Sequence, residues 1–182
     1  KFYTDFIIKD LEMEVIKGDP IFGKVRMNNS YDGSVKYAFN FGFHRLVCKN
    51  GLTAPIEGMS KDIKAMHTPN TGAKATQDTM DAISVFLDEA PEIIKGYKGM
   101  LHKIKWEDAL AKIEEIASAT KFPKKQKETA AERLTIEMNM GLPLNNFLVY
   151  NAMNYALYQG DKTAMKEHKK DKVDLQILQK LS

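Results

Sequence analysis

The sequence predicts an α+β fold: a small antiparallel β-sheet, made of an N-terminal strand and a β-hairpin over Ile21–Val47, packed against a C-terminal helical half of about five helices. Three observations predict it. Apolar and aromatic residues alternate with a period of two up to Val47. An Asp32-Gly33 turn joins two of these alternating runs, and Asp-Gly is the strongest short-range hairpin signal because both residues tolerate positive φ. From about Ala75 onward the apolar period changes from two to nearly four.

Taken in order, Phe2, Phe6 and Ile8 share one parity and open the chain as a strand. Gly18-Asp19-Pro20 breaks it. Ile21, Val25 and Met27 then alternate with Lys24 and Arg26, which is the pattern of a half-buried strand. The return strand keeps Val35, Tyr37, Phe39, Phe41, Phe43 and Val47 on one parity and Lys36, Asn40, His44 and Cys48 on the other, so one face is strongly aromatic. Asn50-Gly51 is expected to close it in a turn, and residues 52–72 read as a connecting loop.

In the helical half, Met80, Ile83, Phe86 and Leu87 form a stripe that Ile93, Ile94, Tyr97, Met100, Leu101 and Ile104 continue beyond Pro91, where a kink or a new helix start is expected. A further helix begins near Trp106, with Glu107 and Asp108 placed to favour the positive end of its dipole, and buries Leu110, Ile113 and Ile116. The next spans about Lys124 to Met140 and stops at Gly141. Another starts after Asn145 or Asn146, either of which can cap it, and stops at Gly160. Leu175, Ile177, Leu178 and Leu181 predict a last, weakly amphipathic helix. The whole is expected to be one domain over 1–182, with a β-rich part over 1–52 and a helical part over 73–182.

At 182 residues the chain can bury a core without covalent staples, and its 43% apolar and 28% charged residues are those of an ordinary globular protein. No apolar run reaches the roughly 20 residues that span a bilayer, and Lys1-Phe2-Tyr3-Thr4-Asp5 lacks the apolar stretch of a signal peptide, so a cytoplasmic location and no membrane partner are expected. A single cysteine, Cys48, excludes an internal disulfide and, alone, a thiolate zinc site. The balance of 27 Lys+Arg against 24 Asp+Glu gives only +3, so net charge does not announce a polyanion binder. Lysines cluster over 103–127 and 162–172, which reads first as solvated helix faces.

Catalytic chemistry is not legible. His44, His67, His102 and His168 fall in separate segments without metal-ligand spacing, and no phosphate loop or nucleophile elbow is present. His44 and Cys48 share a strand face, but nothing orients them as a nucleophilic pair. No enzyme activity, metal or cofactor is therefore expected. The remaining signal is the aromatic strand flanked by cations. Sheet aromatics beside Lys and Arg are how several modules stack bases and hold phosphates, although the aromatic face is also the obvious partner for the helices. Lys24, Arg26, Lys36, His44, Arg45, Lys49, Asn50 and His67 are the candidate nucleic-acid-binding residues.

Four ordered blocks carry a resemblance. Gly18-Asp19, Asn29-Ser30-Tyr31-Asp32-Gly33-Ser34, Phe43 to Leu52 (FHRLVCKNGL) and His67-Thr68 resemble the pattern GD…NSxDGS…xRxVCxNGL…HT of the phage- and plasmid-like family called domain of unknown function 932. Asn146-Phe147-Leu148-Val149-Tyr150-Asn151-Ala152 is similar to its closing W/F-x-x-Y-N-A element. The resemblance covers most of the chain and implies a gene of phages, plasmids and related mobile elements. A β-hairpin sheet followed by helices, with cations along a strand, also looks like the core of single-strand annealing proteins, which form rings. Single-stranded DNA binding or annealing in recombination is the first expectation, with single-stranded DNA and a homo-oligomer as partners. The second is a non-enzymatic counter-defence protein that binds a host protein.

Overall fold

The computed structural model describes residues 2–29, 38–45, 50–53, 71–159 and 167–182. Its backbone falls into two compact units, one of residues 1–45 with 53–94 and one of residues 46–52 with 95–182. The α+β class is as the sequence predicts: an antiparallel sheet and then, among the described residues, five helices.

In the first unit, β1 (Phe2–Ile16) and β2 (Asp19–Asn29) form a long hairpin, and β3 (Ala38–Arg45) adds antiparallel to β2. Lys17 and Gly18 make the tight turn between β1 and β2, and Gly18 sits at φ 81°, the left-handed value that the second residue of a type II turn takes. The pairing is regular from Phe2↔Asn29 to Ile8↔Gly23 and then slips, so that Glu12 faces Phe22 and residues 9–11 bulge out of the ladder. A Cβ placed on Gly23 would stand 2.6 Å from Leu11 Cδ2, so the bulge lays Leu11 where only a glycine leaves room.

Phe39, Phe41 and Phe43 are all buried, together with Ile21 and Val25 of β2. The aromatic parity thus faces a core, not solvent. Helix α1 (Thr71–Gly99) supplies its lid within this unit: the Phe86 ring lies 5.4 Å from the rings of both Phe41 and Phe43. The buried stripe of α1 is Ala82, Phe86, Ala90 and Ile94, whereas Met80 and Leu87 of the expected stripe are exposed. Small alanines one turn either side of Phe86 let the helix approach large rings closely, which hydrophobicity alone does not reveal.

Two points are settled against the sequence. Of the two alternatives at Pro91, a kink or a new helix start, the second does not occur: Pro91 lies inside α1, which runs from Thr71 to Gly99. Asn50-Gly51 opens a short strand, β4 (Asn50–Thr53), in place of a turn. The Asp32-Gly33 turn, the Lys36 and Lys49 strand ends, Cys48 and the loop with His67 lie outside the described residues.

The second unit is helical. Helix α2 (Trp106–Thr120) buries Ala109, Ile113 and Ile116 but leaves Leu110 exposed, and it ends where Lys121 takes the left-handed φ of 58°. Helix α3 (Lys124–Asn139) buries Ala130 and Leu134, and Gly141 at φ 88° turns the chain after it. Helix α4 (Asn146–Gln159) is buried on nearly every side from Phe147 to Leu157, the arrangement an all-round apolar helix requires. Helix α5 (Glu167–Leu181) closes the unit with Val173, Ile177, Leu178 and Leu181. Asn145 caps α4: its Oδ1 accepts the Leu148 N–H at 2.8 Å. Asn146 instead donates its amide to the Leu181 carbonyl at 3.1 Å, pinning the start of α4 to the end of α5. Among the described residues no helix is long and apolar enough to cross a membrane.

Candidate functional site

Because the aromatic parity points inward, the opposite parity forms the outer face of the sheet. Register places Asp5, Arg26 and Asn40 in one row across β1, β2 and β3, then Ile7, Lys24 and Gly42, then Phe22 beside His44. Three of the sequence-predicted residues, Lys24, Arg26 and His44, are therefore gathered on one half-exposed surface. Asn40 is a fourth polar group in the same place.

The charges on this face are not independent. Asp5 accepts two hydrogen bonds from Arg26, Nε to Oδ1 at 2.7 Å and Nη2 to Oδ2 at 2.9 Å, a bidentate cross-strand pair. These bonds, aided by the nearby Lys24 charge and only partly opposed by burial, hold the Asp5 carboxyl below its ordinary value. His44 lies diagonally across the ladder from Lys24. Burial first, then the repulsion of Lys24, push its imidazole below the ordinary histidine value, against a weaker opposite pull from Asp5. The face carries cations whose strength depends on what else approaches them.

Arg45 is placed differently. It follows Phe39, Phe41 and Phe43 on the inward parity and is 0% exposed. Its Nε donates to Asp19 Oδ2 at 2.5 Å, and Nη2 stands at the same distance from that oxygen. Asp19, at the start of β2, is itself 2% exposed. Arg45 therefore braces the sheet from within. The side chains of Lys36, Lys49, Asn50 and His67 lie outside the described residues.

The helical unit holds a buried polar network that sequence reasoning missed. Asp174 of α5 accepts from Asn154 Nδ2 at 3.0 Å and from Tyr150 Oη at 3.3 Å, both on α4. Tyr97, at the end of α1, shares a hydrogen bond with Tyr150 and stacks on its ring at 6.1 Å between centroids. Burial, with the Asp174 charge nearby, pushes the Tyr97 hydroxyl far above its ordinary value, so it stays a neutral donor. Lys170, one helical turn before Asp174, is also fully buried, with Nζ 5.9 Å from the Tyr158 ring centre. It was expected on a solvated lysine face. The available signal was the spacing of four that joins Tyr150 to Asn154 and Lys170 to Asp174, which puts polar groups on the apolar sides of both helices.

The other lysines mostly do behave as solvated charges: Lys103, Lys105, Lys121, Lys124 and Lys125 are exposed, and Lys127 pairs with Glu114 at 2.6 Å beside a shallow groove lined by Leu110, Ile113 and Ala131. Among the described residues no three histidine, cysteine or carboxylate side chains gather as a metal site would require.

No curated protein and no solved structure matches the chain. A family model does, over residues 2–172, which is most of the chain and includes the sheet, all of α1 to α4 and the start of α5. The protein belongs to the family described as Domain of unknown function (DUF932).

Proposed function

We propose that the chain binds nucleic acid, single-stranded DNA above all, on the outer face of its sheet. The observation that carries this reading is the register that lines up Lys24 and Arg26 on β2 with His44 and Asn40 on β3, on the face opposite the aromatic core. A phosphate backbone laid across such a row gains charge-assisted hydrogen bonds from the two cations, and Asn40 offers a donor and an acceptor to base edges or sugars. The buried Phe39, Phe41 and Phe43 do not stack bases in this reading; they fix the platform. Arg45 holds it from below and meets no phosphate.

Annealing of complementary strands during recombination is the activity this surface would serve, as expected of a family resembling phage and plasmid proteins, and it would be exercised in the cytoplasm of the host cell. Fluorescence anisotropy with a labelled oligothymidylate tests it. Binding at low salt should fall steeply as salt rises, and a Lys24→Ala/Arg26→Ala double variant should flatten the salt slope by about one to two phosphate contacts. Absence of binding at low salt, or a double variant that binds like the parent, overturns the reading.

A further inference from the structure

The segment 98–106 of the second unit, which joins the end of α1 to α2, is basic along its length. Lys98, His102, Lys103 and Lys105 are all exposed, and the segment closes on Trp106, half-exposed and the one tryptophan of the chain. The sequence holds no carboxylate from Ile93 to Trp106, nor from Met138 to Gly160, which contains the stretch that this segment runs beside. Among the described residues Lys98, Lys103 and Lys105 have no carboxylate partner. They differ in this from Lys127, held by Glu114, and from Arg26, held by Asp5.

The backbone fixes these side chains in place. Ile104 donates its N–H to the Leu144 carbonyl at 3.2 Å, Phe147 donates to the Met100 carbonyl at 3.3 Å, and Lys103 bridges antiparallel to Asn145, which itself caps α4. Pairing of this kind makes the segment locally extended, and Lys105 continues it at φ −80° and ψ 160°. Alternate residues then share a side, so Lys103 and Lys105 stand together about 7 Å apart along the chain, while Ile104 turns the other way and is half-buried. Two cations held at that interval before any ligand arrives, followed by an indole, suit a run of phosphates with an unpaired base at hand. A lipid surface fits less well: Met100 is buried and Leu101 and Ile104 half-buried, whereas anchoring at an interface needs an exposed apolar face. Glu107 and Asp108, exposed in the first turn of α2, bound the track, so a strand would run from Trp106 back toward Lys98.

We infer that residues 98–106 form a second site for single-stranded nucleic acid, with Lys98, Lys103 and Lys105 on phosphates and Trp106 under one base. The inference shares with the sheet proposal only the class of ligand, and it rests on residues of the other unit.

As the only tryptophan, Trp106 reports on its own site. Titration of the full chain with oligothymidylate at low salt should quench its fluorescence to saturation, and added salt should reverse the quench. Lys103→Ala/Lys105→Ala, at two exposed positions, should leave far-ultraviolet circular dichroism unchanged. It should raise the concentration at half-quench at least about tenfold and flatten the log–log salt slope by about 1.4, or about 0.7 per phosphate contact of a single strand. Lys24→Ala/Arg26→Ala should leave the quench in place, and a duplex of the same length, its bases paired, should quench far less. No quench at low salt overturns the inference, and so does a lysine variant quenched like the parent. Equal quenching by the duplex overturns it too, since no base is then stacked; quenching by phosphatidylserine vesicles in place of the oligonucleotide would mark a lipid surface. An oligonucleotide that binds by anisotropy yet leaves Trp106 unquenched sinks this site alone, whereas a quench that persists while anisotropy ignores Lys24 and Arg26 sinks the sheet site alone.

Discussion

Arg45 and Asp19 make an ion pair sealed inside the sheet unit, with both Nε and Nη2 of the arginine 2.5 Å from one carboxylate oxygen. They stand at facing ends of β2 and β3, where Ile21 pairs with Arg45. The pair therefore ties the beginning of one strand to the end of the next. Removing one member deprives the other buried charge of its ion partner, which costs about 3–5 kcal/mol. Arg45→Met and Asp19→Leu should each lower stability by that order in urea denaturation, and the double variant should recover part of the loss. Losses that simply add would show that the two residues act separately. Any DNA binding lost in Arg45→Met should track the unfolded fraction.

Asp5 restrains Arg26. Asp5→Asn removes the carboxylate charge while keeping the shape, so the guanidinium gains freedom to meet a phosphate. Oligothymidylate affinity at low salt should rise severalfold and the salt slope should steepen by about one. The same variant should lose less than about 1 kcal/mol of stability, since the pair is well exposed. Unchanged affinity would remove Arg26 from the proposed surface.

His44 should make both stability and binding sensitive to mild acid. Its imidazole titrates lower in the folded chain than the ordinary 6.5 of the unfolded one, chiefly through burial and then through Lys24. Between those two values the unfolded state binds more protons. Stability is accordingly complete above about pH 6.5 and declines as pH falls through the folded value. His44→Gln should flatten that decline in thermal melts between pH 7.5 and 5. A phosphate beside the imidazole favours its protonated form, so wild-type affinity for DNA should increase on acidification and that of His44→Gln should not. Parallel pH profiles for the two proteins would dismiss the assignment.

The network around Asp174 is a matter of stability, and its members should be unequal. Tyr150→Phe removes one donor and should cost about 1 kcal/mol, whereas Asp174→Ala leaves Asn154 and Tyr150 without their acceptor and should cost about 3 kcal/mol. Chemical denaturation measures both. Equal effects would mean that the Tyr150 hydroxyl, at 3.3 Å, carries as much as the whole carboxylate.

The sheet was legible because strand parity is a direct projection of burial: Phe39, Phe41 and Phe43 needed only to be counted in twos. The same count held the fate of Arg45, which shares that parity, and of Asp19, which shares the parity of Ile21. Charge made Arg45 look like a rim residue when its position made it a core one. Asn145 was readable as a cap because the side chain bonds within its own turn. The Asp5–Arg26 pair and the Asp174 network were not, because each joins residues whose adjacency exists only once strand register or helix packing is set. The close approach of α1 to the sheet escaped for a related reason: alanines at 82 and 90 carry little hydrophobic signal, and their value is the space they leave.

The tight turn at Gly18 bears on how the molecule assembles. It joins the two longest strands through neighbouring residues, so their ladder can zip outward from Lys17-Gly18 with almost no loop-closure entropy. Formation of this ribbon should precede docking of β3 and α1, and Gly18→Val, which penalises the left-handed backbone, should slow refolding more than it hastens unfolding.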